Sequence, residues 1–186
     1  MKFQLVSDIH LEFGKKYHIP VKAPYLLLAG DIGYPSGSMN YRPKSESNAY
    51  VEFMEYISTK FEKVFFVAGN HEYYNKTKTI QETNEFLENY FQQFDNISFL
   101  NNNYEIYNKY CFIGTTLWSK ITNPIFEIND VYSILNFDYI KYNRLNMLSV
   151  DFLQDALQKN ENCIVITHHR SEEHTSELQS HHDLVC

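Results

Sequence analysis

The order of apolar and polar positions divides the chain into short buried runs and amphipathic stretches. Residues 2–7 form a short apolar run that ends at Asp8. Residues 24–29 hold Tyr25, Leu26, Leu27 and Leu28 between Pro24 and Gly30, which is how a strand covered on both faces reads. A second such run, 64–68, stops at Gly69. Between them, residues 33–47 collect Pro, Gly, Ser and Asn and predict a loop. Residues 49–61 place Val51, Met54, Ile57 and Phe61 at helical spacing, and 79–94 do the same with Ile80, Phe86, Leu87, Tyr90, Phe91 and Phe94. Short strands follow at 97–100, 104–107 and 110–114, with Asn101, Asn102 and Asn103, then Asn108 and Lys109, as turns. Residues 115–146 are aromatic-rich and irregular, with room for a short helix. A helix is predicted over 146–158 and a further buried strand over 163–167. Strands alternate with helices early and cluster later, so the pattern predicts an α/β layered domain with helices outside a mixed sheet or two sheets.

Composition narrows the class. The 186 residues are 44% hydrophobic and 21% charged, as in a soluble globular domain with a real core. No run approaches the ~18 apolar residues of a membrane span. The apolar start is too short for a signal peptide and meets an acidic residue at once, so a cytoplasmic location is expected. Cys111 and Cys163 sit in strand-like apolar runs and read as buried free thiols. A net charge of −7 counts against a broad basic face for nucleic acid.

Candidate chemistry lies in four polar clusters, each just past an apolar strand: Asp8-x-His10, Gly30-Asp31, Gly69-Asn70-His71-Glu72 and His168-His169. In open α/β sheets sites form outside the carboxyl ends of strands, so these clusters are expected to converge. Carboxylate, imidazole and amide oxygen together suit divalent Mn, Fe, Zn or Mg, and the thiolates of a structural zinc site are missing. Taken singly, Asp8 also reads as a turn residue, Asp31 as a helix cap, and the two terminal histidines as ordinary strand-end residues.

D-x-H, G-D, G-N-H-E and a later H, in that order and each after an apolar run, resemble the calcineurin-like metallophosphoesterase superfamily over residues 1–169. The resemblance implies a β-sandwich of two mixed sheets flanked by helices, and two divalent metal ions that activate water for hydrolysis of a phosphate monoester or diester. On that basis Asp8 and His10 hold one metal, Asp31 bridges both, and Asn70 and His168 serve the second. His71 faces the substrate and protonates the leaving oxygen or holds the phosphate. Glu72 and His169 are expected outside the ligands, fixing tautomers. Tyr73, with Tyr34 and Tyr74, either lines the substrate pocket or packs, and Trp118 and Asp130 either cover the site or pack. Gly30 and Gly69 allow the tight turns that aim the next side chain. The expected partner is a phosphorylated small molecule or other phosphoester. A nuclease would need a basic approach to the site, and Lys15, Lys16, Arg42, Lys44, Lys76 and Lys78 are few and mixed with acids. A non-catalytic relative that only binds metal or a partner is the other alternative. His71 favours the enzyme, because a scaffold has no need of it.

The C-terminal 17 residues break the pattern. Phe, Ile, Lys, Asn and Tyr supply 75 of the first 169 residues and none of residues 170–186. Arg170-Ser-Glu-Glu-His-Thr-Ser-Glu-Leu-Gln-Ser180 is what a common sequencing adapter gives on translation, so 170–186 is expected to be foreign and non-biological. A natural polar tail binding metal through His174, His181 and His182 is the alternative. The superfamily's final G-H-x-H is absent, so the domain is expected to be truncated before it. The 186-residue chain is therefore expected to bind metal weakly, turn over little and expose a sheet edge.

Overall fold

The apolar runs around Leu27 and Phe65 become neighbouring parallel strands, buried at almost every position, in a computed structural model. It describes residues 1–14, 17–35, 49–74, 76–122 and 128–169, and the backbone of 183–185. The first sheet runs β1 (Phe3–Val6), β2 (Tyr25–Ala29), β3 (Lys63–Val67), β4 (Ile97–Phe99) and is parallel throughout. The second runs β5 (Asn103–Tyr107), β6 (Tyr110–Thr115), β7 (Cys163–Thr167), β8 (Asp183–Val185), with β5 antiparallel to β6 and the remaining pairs parallel. Asn108 and Lys109, at φ 47° and 67°, make the tight turn of the β5–β6 hairpin.

Strand alternation sends each residue to one of two cores. Leu27, Ala29, Phe65 and Val67 meet Leu100, Phe112, Ile164 and Ile166 between the sheets, where the rings of Phe65 and Phe112 stack at 3.9 Å and 10°. A buried phenyl of this kind contributes about 1.5–3 kcal/mol. Leu26, Leu28, Val64 and Phe66 point the other way, onto α1 (Ala49–Lys60) and α2 (Ile80–Phe91). On the far side, Ile113 and Val165 pack on Leu153 and Ala156 of α4 (Tyr139–Lys159). The result is two sheets face to face with helices outside. Lys63 also ties the sheets together, its Nζ 2.7 Å from Glu105 Oε1.

Helix boundaries follow their caps. Thr79 and Glu82 form a reciprocal capping box that starts α2 at Ile80. α4 starts seven residues before the predicted position, because Asp138 accepts a hydrogen bond from the Lys141 N–H at 2.8 Å and so caps a helix whose first turns are aromatic. The irregular aromatic segment contains α3 (Asn129–Ser133). Most of the predicted loop 33–47 lies outside the described residues, as do residues 170–182 and 186. β8 pairs with the outer edge of β7 and is itself an edge strand of the sheet. Among the described residues no helix is long and apolar enough to cross a membrane.

Candidate metal centre

The chain bends sharply where β1, β2, β3 and β7 end, and all four polar clusters come together there. Asp8, His10 and Asp31 adopt left-handed backbone conformations at φ 54°, 53° and 54°. Asp and His are among the few residue types enriched in that region, and such conformations gather at functional sites. Backbone hydrogen bonds stitch the first two loops: Asp8 N to Gly30 O, 3.0 Å; His10 N to Asp31 O, 3.0 Å; and Leu11 N to Ile32 O, 2.9 Å. Two glycines permit the approach of the others. A Cβ on Gly30, at φ 84°, would lie 2.5 Å from His168 Nδ1 and 2.7 Å from Gly69 Cα. On Gly69 it would collide with the Asp31 carboxylate.

Asp31 is buried and lies at the middle. Its Oδ1 is 3.4 Å from His168 Nε2 and accepts the His71 N–H at 2.9 Å. Its Oδ2 faces His10 Nε2 at 3.8 Å and His71 Nε2 at 4.0 Å. The two oxygens thus look at different sets of nitrogens. Asn70 Oδ1 is 3.1 Å from His168 Nε2, while its Nδ2 donates to Asp130 Oδ1 at 2.8 Å and Tyr74 Oη at 3.0 Å, so the amide turns its oxygen inward. His168 Nδ1 lies 2.8 Å from the Ala29 carbonyl, which can only accept, so the proton sits on Nδ1 and Nε2 faces the cluster. One ligand atom each from Asp8, His10 and Asp31 lie within 4.8 Å of one another, and the same holds for His10, Glu12 and His71.

This donor set fits divalent cations. Two atoms that each bind one ion at about 2.0–2.2 Å stand roughly 3–4 Å apart, and Asp31 lies 3.4 to 4.0 Å from three imidazole nitrogens. Asp8, His10 and Asp31 stand close enough together to hold a cation, and His168 and Asn70 adjoin them.

The remaining predicted residues take distinct places. Glu72 is buried, and its carboxylate accepts four backbone N–H groups, from Asp31, Ile32, Gly33 and Gly69, at 2.6–3.2 Å. It therefore staples the β2 loop to the β3 loop. Burial and then the Asp31 carboxylate push its carboxyl up, against the N–H donors of Gly33, Gly69 and Ile32. Burial lowers His71, but the Glu12 hydrogen bond and the Asp31 charge outweigh this and hold it above the usual imidazole value. His169 packs between Trp118 (5.3 Å, stacked) and Tyr142, and its Nε2 has no hydrogen-bond partner among the described residues. Its ring also stands edge to face against His168, at 5.0 Å. Burial, then the neighbouring His168, lowers it to about 4. Tyr73 does not line a substrate pocket. It is 1% exposed, with its hydroxyl on Asn84 Oδ1 at 2.8 Å, because the short 3₁₀ turn His71–Tyr73 rotates its ring into the core. Trp118 is likewise buried.

Two groups join the site from outside the motifs. Asp130, from α3, holds Asn70 and Tyr74, and the Tyr74 ring stacks on His71 at 4.3 Å. Glu12 was missed by the sequence reading. It accepts from His71 Nδ1 at 2.8 Å and from His10 Nδ1 at 2.9 Å. Burial raises its carboxyl, but the bonds from His71 and then His10 win and hold it below the usual value. The signal was present as an acid two residues past His10, but its second partner is 59 positions away.

Comparison with known proteins bears on the family and on the fold. A family model described as calcineurin-like phosphoesterase matches residues 1–185. Uncharacterized protein L509 of Acanthamoeba polyphaga mimivirus is 34% identical over 194 aligned residues, covering 88% of this chain and 66% of that protein. The chain thus spans just under two thirds of that relative's length. Among solved structures, the phosphopantetheinyl hydrolase of Mycobacterium tuberculosis matches with a TM-score of 0.52 at 12% identity, over 90% of this chain and 68% of that one. At that identity the likeness is one of fold.

Proposed function

The chain belongs to the calcineurin-like phosphoesterase family, and from that premise we propose that it is a cytoplasmic metal-dependent hydrolase of a phosphate monoester or diester, working with two divalent cations. The observation that carries this is the Asp31 carboxylate, whose Oδ1 faces His168 and whose Oδ2 faces His10 and His71. Two divalent cations held by Asp8, His10, Asp31, Asn70 and His168 would neutralise phosphate charge and activate water.

The chain's own groups do the rest. Glu72 and Glu12 are the braces: one fixes the loops that carry Asp31 and Asn70, the other the rings of His10 and His71. Asp130 keeps the Asn70 amide oxygen turned inward. With its Nδ1 anchored on Glu12, His71 presents Nε2 to the centre. The raised affinity of that ring for a proton suits it to donate one to the departing oxygen, a contribution of about 10²–10⁴-fold for general acids.

A test uses Mn(II) calorimetry and turnover of a nitrophenyl phosphate monoester and diester, on the 186-residue chain and on the protein its source gene encodes. Turnover should require added cation and vanish with chelator. Asp31→Asn should weaken Mn(II) binding at least about 10-fold and abolish turnover. Cation-independent turnover, or unchanged binding by Asp31→Asn, refutes the proposal.

Residues 170–186 are proposed to be foreign to the domain, on their composition and their likeness to a translated sequencing adapter. A three-residue strand at an open edge such as β8 asks little of its sequence. Sequencing the source gene across the His169 and Arg170 codons tests this. New sequence after His169 supports it, and genomic codons for 170–186 overturn it.

A further inference from the structure

Glu12 is a carboxylate only 7% exposed, two residues past His10 in the 3₁₀ turn Leu11–Phe13. Gly33 leaves it room, since a Cβ there would lie 3.3 Å from Glu12 Oε2. One of its oxygens, Oε1, is the near neighbour of both imidazoles, 2.8 Å from His71 Nδ1 and 2.9 Å from His10 Nδ1. A carboxylate oxygen has no hydrogen to give and can accept two. Both Nδ1 atoms must therefore carry protons, and in a neutral ring the lone pair is then left on Nε2. These are the two Nε2 atoms that face Asp31 Oδ2, at 3.8 and 4.0 Å. The rings stand edge to face, 4.4 Å apart at 73°, which lets both edges reach one oxygen.

We propose that Glu12 is a positioning residue whose single oxygen sets the tautomer and orientation of His10 and His71 together. The roles of the two histidines rest on the phosphoesterase reading, while their tautomers do not. A group that holds metal and a group that serves the leaving oxygen are then coupled: neither ring turns without releasing the shared acceptor. His168 is held in the same sense by a backbone carbonyl, so all three inward rings present Nε2. Only the Glu12 pair depends on a side chain that one substitution removes.

The test is ring-nitrogen NMR on the metal-free 186-residue chain at a pH where its imidazoles are neutral, with His10 and His71 assigned through His10→Gln and His71→Gln. Both rings should be protonated at Nδ1. Glu12→Leu should release both into tautomer mixtures and weaken Mn(II) binding about 10–100-fold, the usual cost of losing an outer partner. Glu12→Gln keeps an acceptor oxygen and should retain much of both. Finding either wild-type ring protonated at Nε2 overturns the proposal, and this holds even if Glu12→Leu fails to fold. Unchanged tautomers and Mn(II) affinity in a folded Glu12→Leu also overturn it. Correct tautomers without turnover by the protein its source gene encodes refute the phosphoesterase reading alone, and turnover with the wrong tautomers refutes this one alone.

Discussion

His169 shows how much a neighbourhood can change one residue. Next to His168 in sequence, it shares none of that residue's hydrogen bonds, and its ring lies against Trp118 and Tyr142. Its folded pKa, about 4, lies below the ordinary value of about 6.5. The unfolded chain therefore takes up the proton first as pH falls, and the stability present above pH ~6.5 is lost towards pH 4. The loss on this account is roughly 2–3 kcal/mol. Urea unfolding from pH 7 to 4 should show it, and His169→Phe should flatten the slope. At this scale, Asp8, His10, Asp31, Asn70, His71 and His168 could be found because each follows an apolar strand within a short motif. Glu12 could not, because its second partner lies 59 positions away, and Asp130 could be named only as covering the site or packing, because its hold on Asn70 spans 60 positions. Tyr73, left open between lining the pocket and packing, takes the second place. It sits two residues past His71, but a 3₁₀ turn points it into the core.

Among the elements, buried parallel strands were the most legible. Leu26-Leu27-Leu28 and Val64-Phe65-Phe66 are apolar on both faces because each strand has a core on either side. α1 and α2 could be placed by helical spacing, and the Thr79–Glu82 box defines one start to the residue. The front of α4 was hidden. Tyr139, Ile140 and Tyr142 read as part of an irregular aromatic segment, although Asp138 was an available cap signal. Ile140 is 82% exposed, so the first turn carries no clean apolar stripe to reveal it. The split into two sheets came from the family resemblance, since the apolar pattern left one sheet or two open. Which strand pairs with which depends on contacts between distant segments, such as the register of Cys111 with Cys163, and periodicity within a segment is silent about that.

For the whole molecule, two sheets closed by Phe65 on Phe112 and by Lys63 on Glu105 form a rigid base. On its rim stand residues whose own preferences run against that base. Asp8 is exposed, at φ 54°, with its carboxylate within 4.8 Å of an oxygen or nitrogen of Asp31 and His10. Without cations, the like charges of Asp8 and Asp31 repel by about 1 kcal/mol in a water-like medium. The left-handed backbone adds a further cost that asparagine bears more easily. Asp8→Asn should therefore raise the melting temperature of the metal-free chain by roughly 2–4 °C, the shift about 1 kcal/mol gives at this size. With saturating Mn(II) the order should invert, because the wild type gains more from binding. Selection for this rim would thus have acted on the loaded molecule, and an attempt to stabilise the empty one would erode first the residues that make it useful.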